Sequence, residues 1–203
     1  MKQILLIRHG HAEHLNGELT GGWTDTNLTE LGQQQVKALA ARLKNELTDT
    51  PHKLYCSDLK RATQTAQIIG EALGIKPVPL PCLREINNGI AKDMTREEAR
   101  KHYRELTEPT LDWQAYPGAE TWRQFHNRIA HCMDSIVEDE VSLIIVTHGG
   151  PIVHVIDWWL QLDIETVSRV YFDTDPASIS LLTTNNLGDR VLSRLNDTAH
   201  LKL

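Results

Sequence analysis

Residues 4–10 read ILLIRHG, and residues 143–150 read LIIVTHGG. In both stretches a short apolar run leads directly into a histidine that is followed by glycine. Such a run, rich in β-branched residues, is typical of a strand buried on both faces in a parallel sheet. Ligands of these sheets bind beyond the carboxyl ends of the strands. The two stretches therefore predict that His9 and His148 meet in one pocket.

Predicted strands alternate with predicted helices along the chain. The strands are predicted at 3–8, 53–57, 142–147, 170–172, 179–182 and 191–192, and the helices at about 29–47, 58–73, 95–106 and 122–136 and from Pro151 onward. This order predicts a three-layer α/β/α sandwich with a mostly parallel sheet. Residues 83–139 carry helices without a clear strand. We expect them to form an inserted helical lobe over the carboxyl edge of the strands, within a single domain of residues 1–203.

Composition narrows the class of protein. The chain has 203 residues, 40% of them hydrophobic, which suffices for one domain with a full core. A net charge of -6 argues against a nucleic-acid partner. No apolar run reaches the roughly 18 to 20 residues that span a bilayer, and no secretory signal pattern is visible. Cys56, Cys82 and Cys132 show neither zinc spacing nor a disulfide pattern, which predicts a reducing, cytoplasmic setting.

Two arginines accompany the predicted pocket. Arg8 precedes His9, and its planar guanidinium suits phosphate or carboxylate oxygens. The neighbouring imidazole suits a nucleophile, a base or a metal ligand. Arg61 lies near a predicted helix start, where its charge opposes the helix dipole unless an anion binds there. The alternative is that Asp58 caps this helix and pairs with Arg61.

One carboxylate completes the candidate set. Glu85 follows a proline-rich stretch, residues 77–81, that is expected to be extended. A carboxylate near several cations is either a salt-bridge partner or a proton donor. From the residues alone, both roles stay open.

These motifs occur in an order that resembles a known family. They are RHG at 8–10, LTELG at 28–32, SD at 57–58 with Arg61, LRE at 83–85, PGAET at 117–121 and THG at 147–149. Together they resemble the phosphoglycerate-mutase-like branch of the histidine phosphatase superfamily. The resemblance covers residues 2–195.

The resemblance implies a metal-independent phosphatase that needs no cofactor. His9 would be the nucleophile and form a phosphohistidine, with its other nitrogen donating to a backbone carbonyl near the glycine turn. Arg8, Arg61 and a cationic His148 would hold the phosphoryl oxygens. Glu85 would protonate the leaving oxygen, a role that needs a raised pKa. Asn16 and Gly149 would add contacts to the substrate.

The chain departs from the family pattern in two places. Asn16 stands one position later than the usual phosphate-binding asparagine. After Glu85, many relatives read IDxGxWEG, whereas residues 86–93 read INNGIAKD. The second difference concerns leaving-group recognition more than phosphoryl transfer. His11 and His14 are additional imidazoles, which are expected to lie on a solvated loop.

Other functions remain open from the sequence. Phosphoglycerate mutase activity could use the same site. His9, His11 and His14 could instead form the ligand cluster of a metal-dependent hydrolase. A non-catalytic phospho-ligand binder is the third alternative.

The expected partner is a small phosphorylated metabolite, with a phosphoprotein as the alternative. Neither a nucleic acid nor a membrane is expected as a partner. Trp158 and Trp159 are adjacent in a predicted helix and cannot both face the core, which would suit a subunit contact in a homodimer.

Overall fold

A computed structural model describes residues 3–47, 51–138 and 141–201. The strands are β1 (Gln3–Arg8), β2 (His52–Cys56), β3 (Val78–Pro79), β4 (Ser142–Thr147), β5 (Ile179–Thr184) and β6 (Arg190–Asp197). The helices are α1 (Glu30–Glu46), α2 (Lys60–Leu73), α3 (Arg96–Arg100), α4 (Trp122–Ile136), α5 (Gly149–Leu160) and α6 (Ile164–Val167). No helix within the described ranges is long and apolar enough to cross a membrane.

The six strands form one sheet in the order β3-β2-β4-β1-β5-β6. Strands β1 to β4 are parallel, and β5 and β6 extend the sheet in the antiparallel sense. In the central pair, Arg8 of β1 lies opposite Thr147 of β4. The next residue of each strand is a histidine, so the register brings His9 and His148 to the same edge. The predicted mostly parallel α/β fold is confirmed.

Side chains of the central strands alternate between two cores. Leu5 and Ile7 of β1 pack with α1 and α2, while Ile4 and Leu6 pack with α4 and α5. All six residues of β4 are buried, because both faces of this strand are covered. The rigid centre of the sheet therefore carries the two strand-end histidines.

Three long connections, which we call the covering loops, lie over the carboxyl edge of the sheet. They are residues 11–29, 83–121 and 168–178, and each contributes side chains to one cavity at that edge. Helix α4 packs against the sheet as part of the second core. The insertion at 83–139 within a single domain stays a prediction, and its last residue, Asp139, lies outside the described residues.

Some predicted elements differ from the observed ones. The helix predicted from Thr95 to Leu106 ends at Arg100, because the chain turns back and Arg104 N–H donates to Ala115 O (3.0 Å). Residues 170–172 do not form a strand, since this loop leaves the sheet to cross the cavity. Helix α5 begins at Gly149 rather than at Pro151.

The structure contains a disulfide that the spacing of the cysteines did not predict. Cys82 and Cys132 form a disulfide, with their Cα atoms 5.8 Å apart, although 50 residues separate them in sequence. The spacing gave no sign of this pair because α4 and the Pro81 turn meet only in the tertiary structure. The cytoplasmic location stays a prediction.

Candidate active site

A cavity of about 290 Å³ opens at the carboxyl edge of the sheet. It is lined by Arg8, His9, His14, Gly21, Gly22, Arg61, Glu85, Ile86, Trp122, Gly150 and Tyr171. Strand ends form its floor and the covering loops form its walls. Four of the five predicted catalytic residues line this cavity, and the fifth, His148, lies against His9 with a ring-centroid distance of 5.0 Å.

His9 is held in one orientation at the floor. Its side chain is only 2% exposed, and its Nδ1 lies 2.7 Å from Gly10 O. Nδ1–H donating to this carbonyl leaves Nε2 without a proton, and Arg61 Nε donates to that atom over 3.3 Å. Burial and the adjacent Arg61 hold the pKa of His9 well below its ordinary value. Both effects keep the imidazole neutral, with an unprotonated Nε2 whose electron pair accepts the Arg61 hydrogen bond.

Arg61 is a buried cation that the loop 11–29 anchors. Its Nη1 donates to Thr24 O (2.7 Å) and its Nη2 to Gly22 O (2.8 Å). Burial lowers its pKa to about 10, so the guanidinium remains charged at neutral pH. The alternative pairing with Asp58 is not observed, since that carboxylate accepts two hydrogen bonds from Arg84.

His148 is fixed by two neighbours. Its Nδ1 accepts a hydrogen bond from Arg61 Nε (3.1 Å), and its Nε2 lies 2.8 Å from Ser57 Oγ. Burial and then Arg61 and His9 keep the pKa of His148 well below its ordinary value. A cationic His148 was expected beside a bound phosphoryl dianion. Without a bound anion the imidazole is neutral, because desolvation and a neighbouring guanidinium both oppose a second positive charge.

Arg8 and the start of α5 provide further positive potential. Arg8 Nη1 donates to Thr174 O, while its buried Nε lacks a hydrogen-bond partner among the described residues. A Cβ added at Gly149 would lie 3.7 Å from the Arg8 guanidinium, an ordinary contact distance, so this helix start lies directly beside Arg8. The N-terminal N–H groups of a helix favour anions. The guanidinium groups of Arg8 and Arg61 and the N-terminus of α5 therefore lie together at the floor of the cavity.

Glu85 enters from the loop 83–121. Its Oε2 accepts from Gly150 N (3.1 Å) and its Oε1 accepts from Ile86 N (2.9 Å). Thr147 Oγ1 donates to Leu83 O (2.6 Å), which ties this loop to the end of β4. A side chain at Gly150 would collide with the Glu85 carboxylate, so the second glycine of the THGG motif is required for this contact.

The loop after His9 contradicts two expectations. Asn16 is exposed and does not line the cavity. Instead, His14 is 7% exposed and lines it, with Nδ1 2.9 Å from Thr26 Oγ1. Burial and Arg61 lower the pKa of His14 to about 3. The short 3₁₀ turn over Glu13–Asn16 explains why His14 rather than Asn16 lines the cavity, because it directs the histidine inward and the asparagine outward.

The structure does not assemble His9, His11 and His14 as metal ligands. His11 Nδ1 lies 3.0 Å from Thr29 Oγ1, and the other two Nδ1 atoms contact Gly10 and Thr26. Among the described residues, three ligand-type side chains converge only at His126, His154 and Asp157. The ligand cluster of a metal-dependent hydrolase is therefore not formed at His9.

Arg128 and Tyr171 belong to the site but were not predicted from the sequence. Arg128, on α4, donates to Cys82 O (2.7 Å), Arg84 O (3.0 Å) and Glu85 O (3.1 Å), and so fixes the backbone that carries Glu85. Tyr171 lines the cavity from a segment expected to be a strand. Arg128 flanks the apolar stripe of α4, with its guanidinium 4.9 Å from the centre of the Phe125 ring, so helical periodicity did not single it out.

Nearly the whole chain matches one protein family. The model of the histidine phosphatase superfamily (branch 1) matches residues 4–198. The chain belongs to the histidine phosphatase superfamily. A probable phosphoglycerate mutase GpmB of Yersinia pestis is 31% identical over 156 residues, which cover 73% of this chain and 70% of that protein.

Solved structures support the same histidine phosphatase fold. YhfR of Bacillus stearothermophilus superposes with a TM-score of 0.79 at 25% identity, covering 100% of both chains. A mycobacterial glucosyl-3-phosphoglycerate phosphatase has a TM-score of 0.77 at 24% identity and covers 96% of this chain and 98% of that one. The alpha-ribazole phosphatase of Shigella flexneri has a TM-score of 0.77 at 22% identity, with 97% and 96% covered.

Proposed function

We propose that the chain is a metal-independent phosphatase that hydrolyses a phosphomonoester through a phosphohistidine on His9. The observation that carries this proposal is the fixed, neutral His9 ring, whose Nε2 faces the same cavity as Arg61 and Glu85. A neutral imidazole nitrogen is a nucleophile, and buried cations stabilise the charge of a transferring phosphoryl group.

In the first step, His9 Nε2 attacks phosphorus and the bond from phosphorus to the leaving oxygen breaks. Glu85 donates its proton to that oxygen, which leaves as an alcohol. Arg8, Arg61 and the start of α5 at Gly149 hold the phosphoryl oxygens.

In the second step, water attacks the phosphohistidine. The Glu85 carboxylate takes a proton from this water, the phosphorus–nitrogen bond breaks, and inorganic phosphate and neutral His9 are released. Glu85 thus returns to its protonated form for the next turnover.

His148 acts as a phosphate ligand only if it gains a proton. In the absence of an anion its Nδ1 accepts from Arg61. A phosphoryl dianion favours the protonated form of an adjacent imidazole. We therefore infer that substrate binding and protonation of His148 are coupled.

A small phosphorylated metabolite is the substrate class that the cavity supports. A volume of about 290 Å³ suits a compact molecule, and ligand pockets commonly reach about 300–1,000 Å³. Two structural relatives carry the names of phosphatases, a glucosyl-3-phosphoglycerate phosphatase and an alpha-ribazole phosphatase. A phosphoprotein side chain is the alternative substrate.

Trapping of the intermediate tests the mechanism. The wild type, His9→Ala and His131→Ala are mixed with 4-nitrophenyl phosphate, with and without a chelator, and quenched in alkali. His131 is the matched control because it is exposed on α4. We expect turnover with chelator and a phosphorylated His9 peptide in the wild type and control. Full turnover by His9→Ala would overturn the proposal, and absence of any phosphohistidine would favour a non-catalytic binder.

Mutase chemistry is the second candidate, and the resemblance to GpmB favours it. Against it, the segment after Glu85 departs from the mutase pattern, and Asn88 uses its amide to hold Trp23 N (3.0 Å) and Gly21 O (3.3 Å). Incubation with 3-phosphoglycerate and its bisphosphate separates the candidates. Phosphate release supports the phosphatase, whereas isomer exchange without phosphate release establishes the mutase.

A further inference from the structure

A second cluster of ligand-type side chains lies behind the cavity. His126 comes from α4, and His154 and Asp157 come from successive turns of α5. One nitrogen or oxygen atom of each residue lies within 4.8 Å of the others. In the described part of the chain, no other group of three histidine, cysteine or acidic side chains converges in this way.

The cluster is buried and its polar atoms are poorly satisfied. His154 and Asp157 are both 0% exposed, and His126 is half-buried. His154 Nδ1 lies 3.4 Å from Asp157 Oδ2. Five buried atoms of the cluster make no hydrogen bond to the described residues. They are His126 Nδ1, both ring nitrogens of His154 and both carboxylate oxygens of Asp157. A buried polar group without a hydrogen-bond partner destabilises the fold, so five such atoms in one cluster need an explanation.

The surroundings of the cluster are apolar and aromatic. The His154 ring packs edge-on against Trp122 and Phe125, with centroid distances of 4.7 and 4.6 Å. These rings offer no oxygen that could accept a proton from the imidazoles. A cation bound by one atom of each of these three side chains would give three of the five atoms a partner without any further protein group.

We propose that His126, His154 and Asp157 bind one divalent transition-metal ion, with Zn²⁺ as the best-matched metal. Two imidazole nitrogens and one carboxylate oxygen form a ligand set that Zn²⁺ commonly takes. Ligands about 2.0–2.1 Å from a tetrahedral Zn²⁺ lie roughly 3.3 Å apart. His154 Nδ1 and Asp157 Oδ2 are 3.4 Å apart, which is close to this spacing. A small inward rotation of His126 completes the set.

The half-buried side of His126 provides the route of entry and the fourth ligand. Its ring lies 5.4 Å from that of His154, and it is the member of the cluster nearest solvent. A water molecule takes the remaining tetrahedral position.

The proposed ion joins α4 to α5 and stands apart from the phosphoryl chemistry. Trp122 separates the cluster from the cavity, because its ring contacts His154 and also forms part of the cavity wall. The ion is therefore structural. Its removal is expected to lower the thermal stability and to leave turnover intact below the unfolding temperature.

Metal binding to purified, chelator-dialysed protein tests the site. The first probe is Zn²⁺, whose binding is measured by elemental analysis after gel filtration and by the change in melting temperature. The second probe is Co²⁺, whose binding is measured by its tetrahedral absorption bands. The variants are His126→Ala and Asp157→Asn. His131→Ala, on the same helix, and His14→Gln, in the cavity, are controls for other imidazoles.

For the wild type we expect one bound Zn²⁺ per chain, a melting temperature that Zn²⁺ raises, and tetrahedral Co²⁺ bands. Both control variants should give the same three results. His126→Ala is expected to weaken binding on the order of 100-fold or more and to abolish the Co²⁺ bands. Because His126 is half-buried, this variant stays folded even where Asp157→Asn does not. No stoichiometric Zn²⁺ in the folded wild type, or equal binding by His126→Ala, would overturn the proposal.

Discussion

The carboxyl edge of the sheet and the covering loops contribute different kinds of residue to the cavity. His9 and His148 follow β1 and β4, and Arg61 lies in the first turn of α2. Each of these three residues is at most 2% exposed. Glu85 and Tyr171 come from the loops 83–121 and 168–178, and Tyr171 is 60% exposed. The groups proposed to contact phosphorus are thus rigid, whereas those that face the leaving group stand on irregular chain.

This difference suggests a division of roles between the two regions. A rigid floor holds the phosphoryl group in the same way for every ester, because strands fix their side chains more firmly than loops do. Loops tolerate sequence change and carry specificity. Changes at the floor should therefore lower activity toward all substrates equally, and changes in the loops should depend on the leaving group.

The largest effect is expected at the floor. His9→Ala removes the proposed nucleophile and should lower kcat on the order of 10⁴-fold or more for aryl and alkyl phosphates alike. Steady-state kinetics on 4-nitrophenyl phosphate and on glycerol phosphate measures this. A loss confined to one of the two substrates would break the division of roles.

Glu85→Gln comes next and should separate the substrates. Loss of a general acid costs about 10²–10⁴-fold when the leaving group needs a proton. 4-Nitrophenolate leaves readily without one, so its turnover should fall far less than that of glycerol phosphate. An equal loss for both esters would show that Glu85 does not protonate the leaving oxygen.

The two regions also differ in how well the sequence predicts them. Arg8, His9 and His148 could be placed because an apolar run that ends in a polar motif fixes both the strand and the edge at which it ends. The positions of His14 and Asn16 could not be predicted, because a single 3₁₀ turn decides which of them faces inward. Such turns depend on tertiary contacts that leave no periodic pattern. The cysteine pair escaped prediction for the same reason.

Arg128→Met tests how the loop 83–121 is held. The guanidinium donates to three backbone carbonyls around Glu85 and pairs with Glu120 (2.7 Å), so its loss should displace the Glu85 carboxylate. We expect kcat for glycerol phosphate to fall about 10- to 100-fold, with little change in KM. Arg128→Lys should restore part of it. A uniform loss for both esters that follows the melting temperature would indicate a purely structural role.

His14→Gln should alter the pH dependence of stability. The folded-state pKa of His14 is about 3, below its ordinary value of 6.5. As pH falls through about 6.5, the unfolded chain binds a proton that the folded chain refuses. The free energy of unfolding therefore falls by up to about 1.4 kcal/mol per pH unit down to about pH 3. Urea unfolding at two pH values should give a shallower slope for His14→Gln than for wild type or exposed His131→Gln.

The smallest effect is expected at Tyr171, in the most exposed part of the wall. Burial against the protein and the nearby Glu85 raise the pKa of this phenol, so it stays protonated and donates hydrogen bonds at neutral pH. Tyr171→Phe keeps the ring and removes this donor, which is worth about 0.5–1.5 kcal/mol. KM for glycerol phosphate should therefore rise a few-fold with kcat unchanged, while 4-nitrophenyl phosphate, whose leaving group has no hydroxyl to bind, should be unaffected. A change in kcat for both esters would place Tyr171 with the floor rather than with the loops.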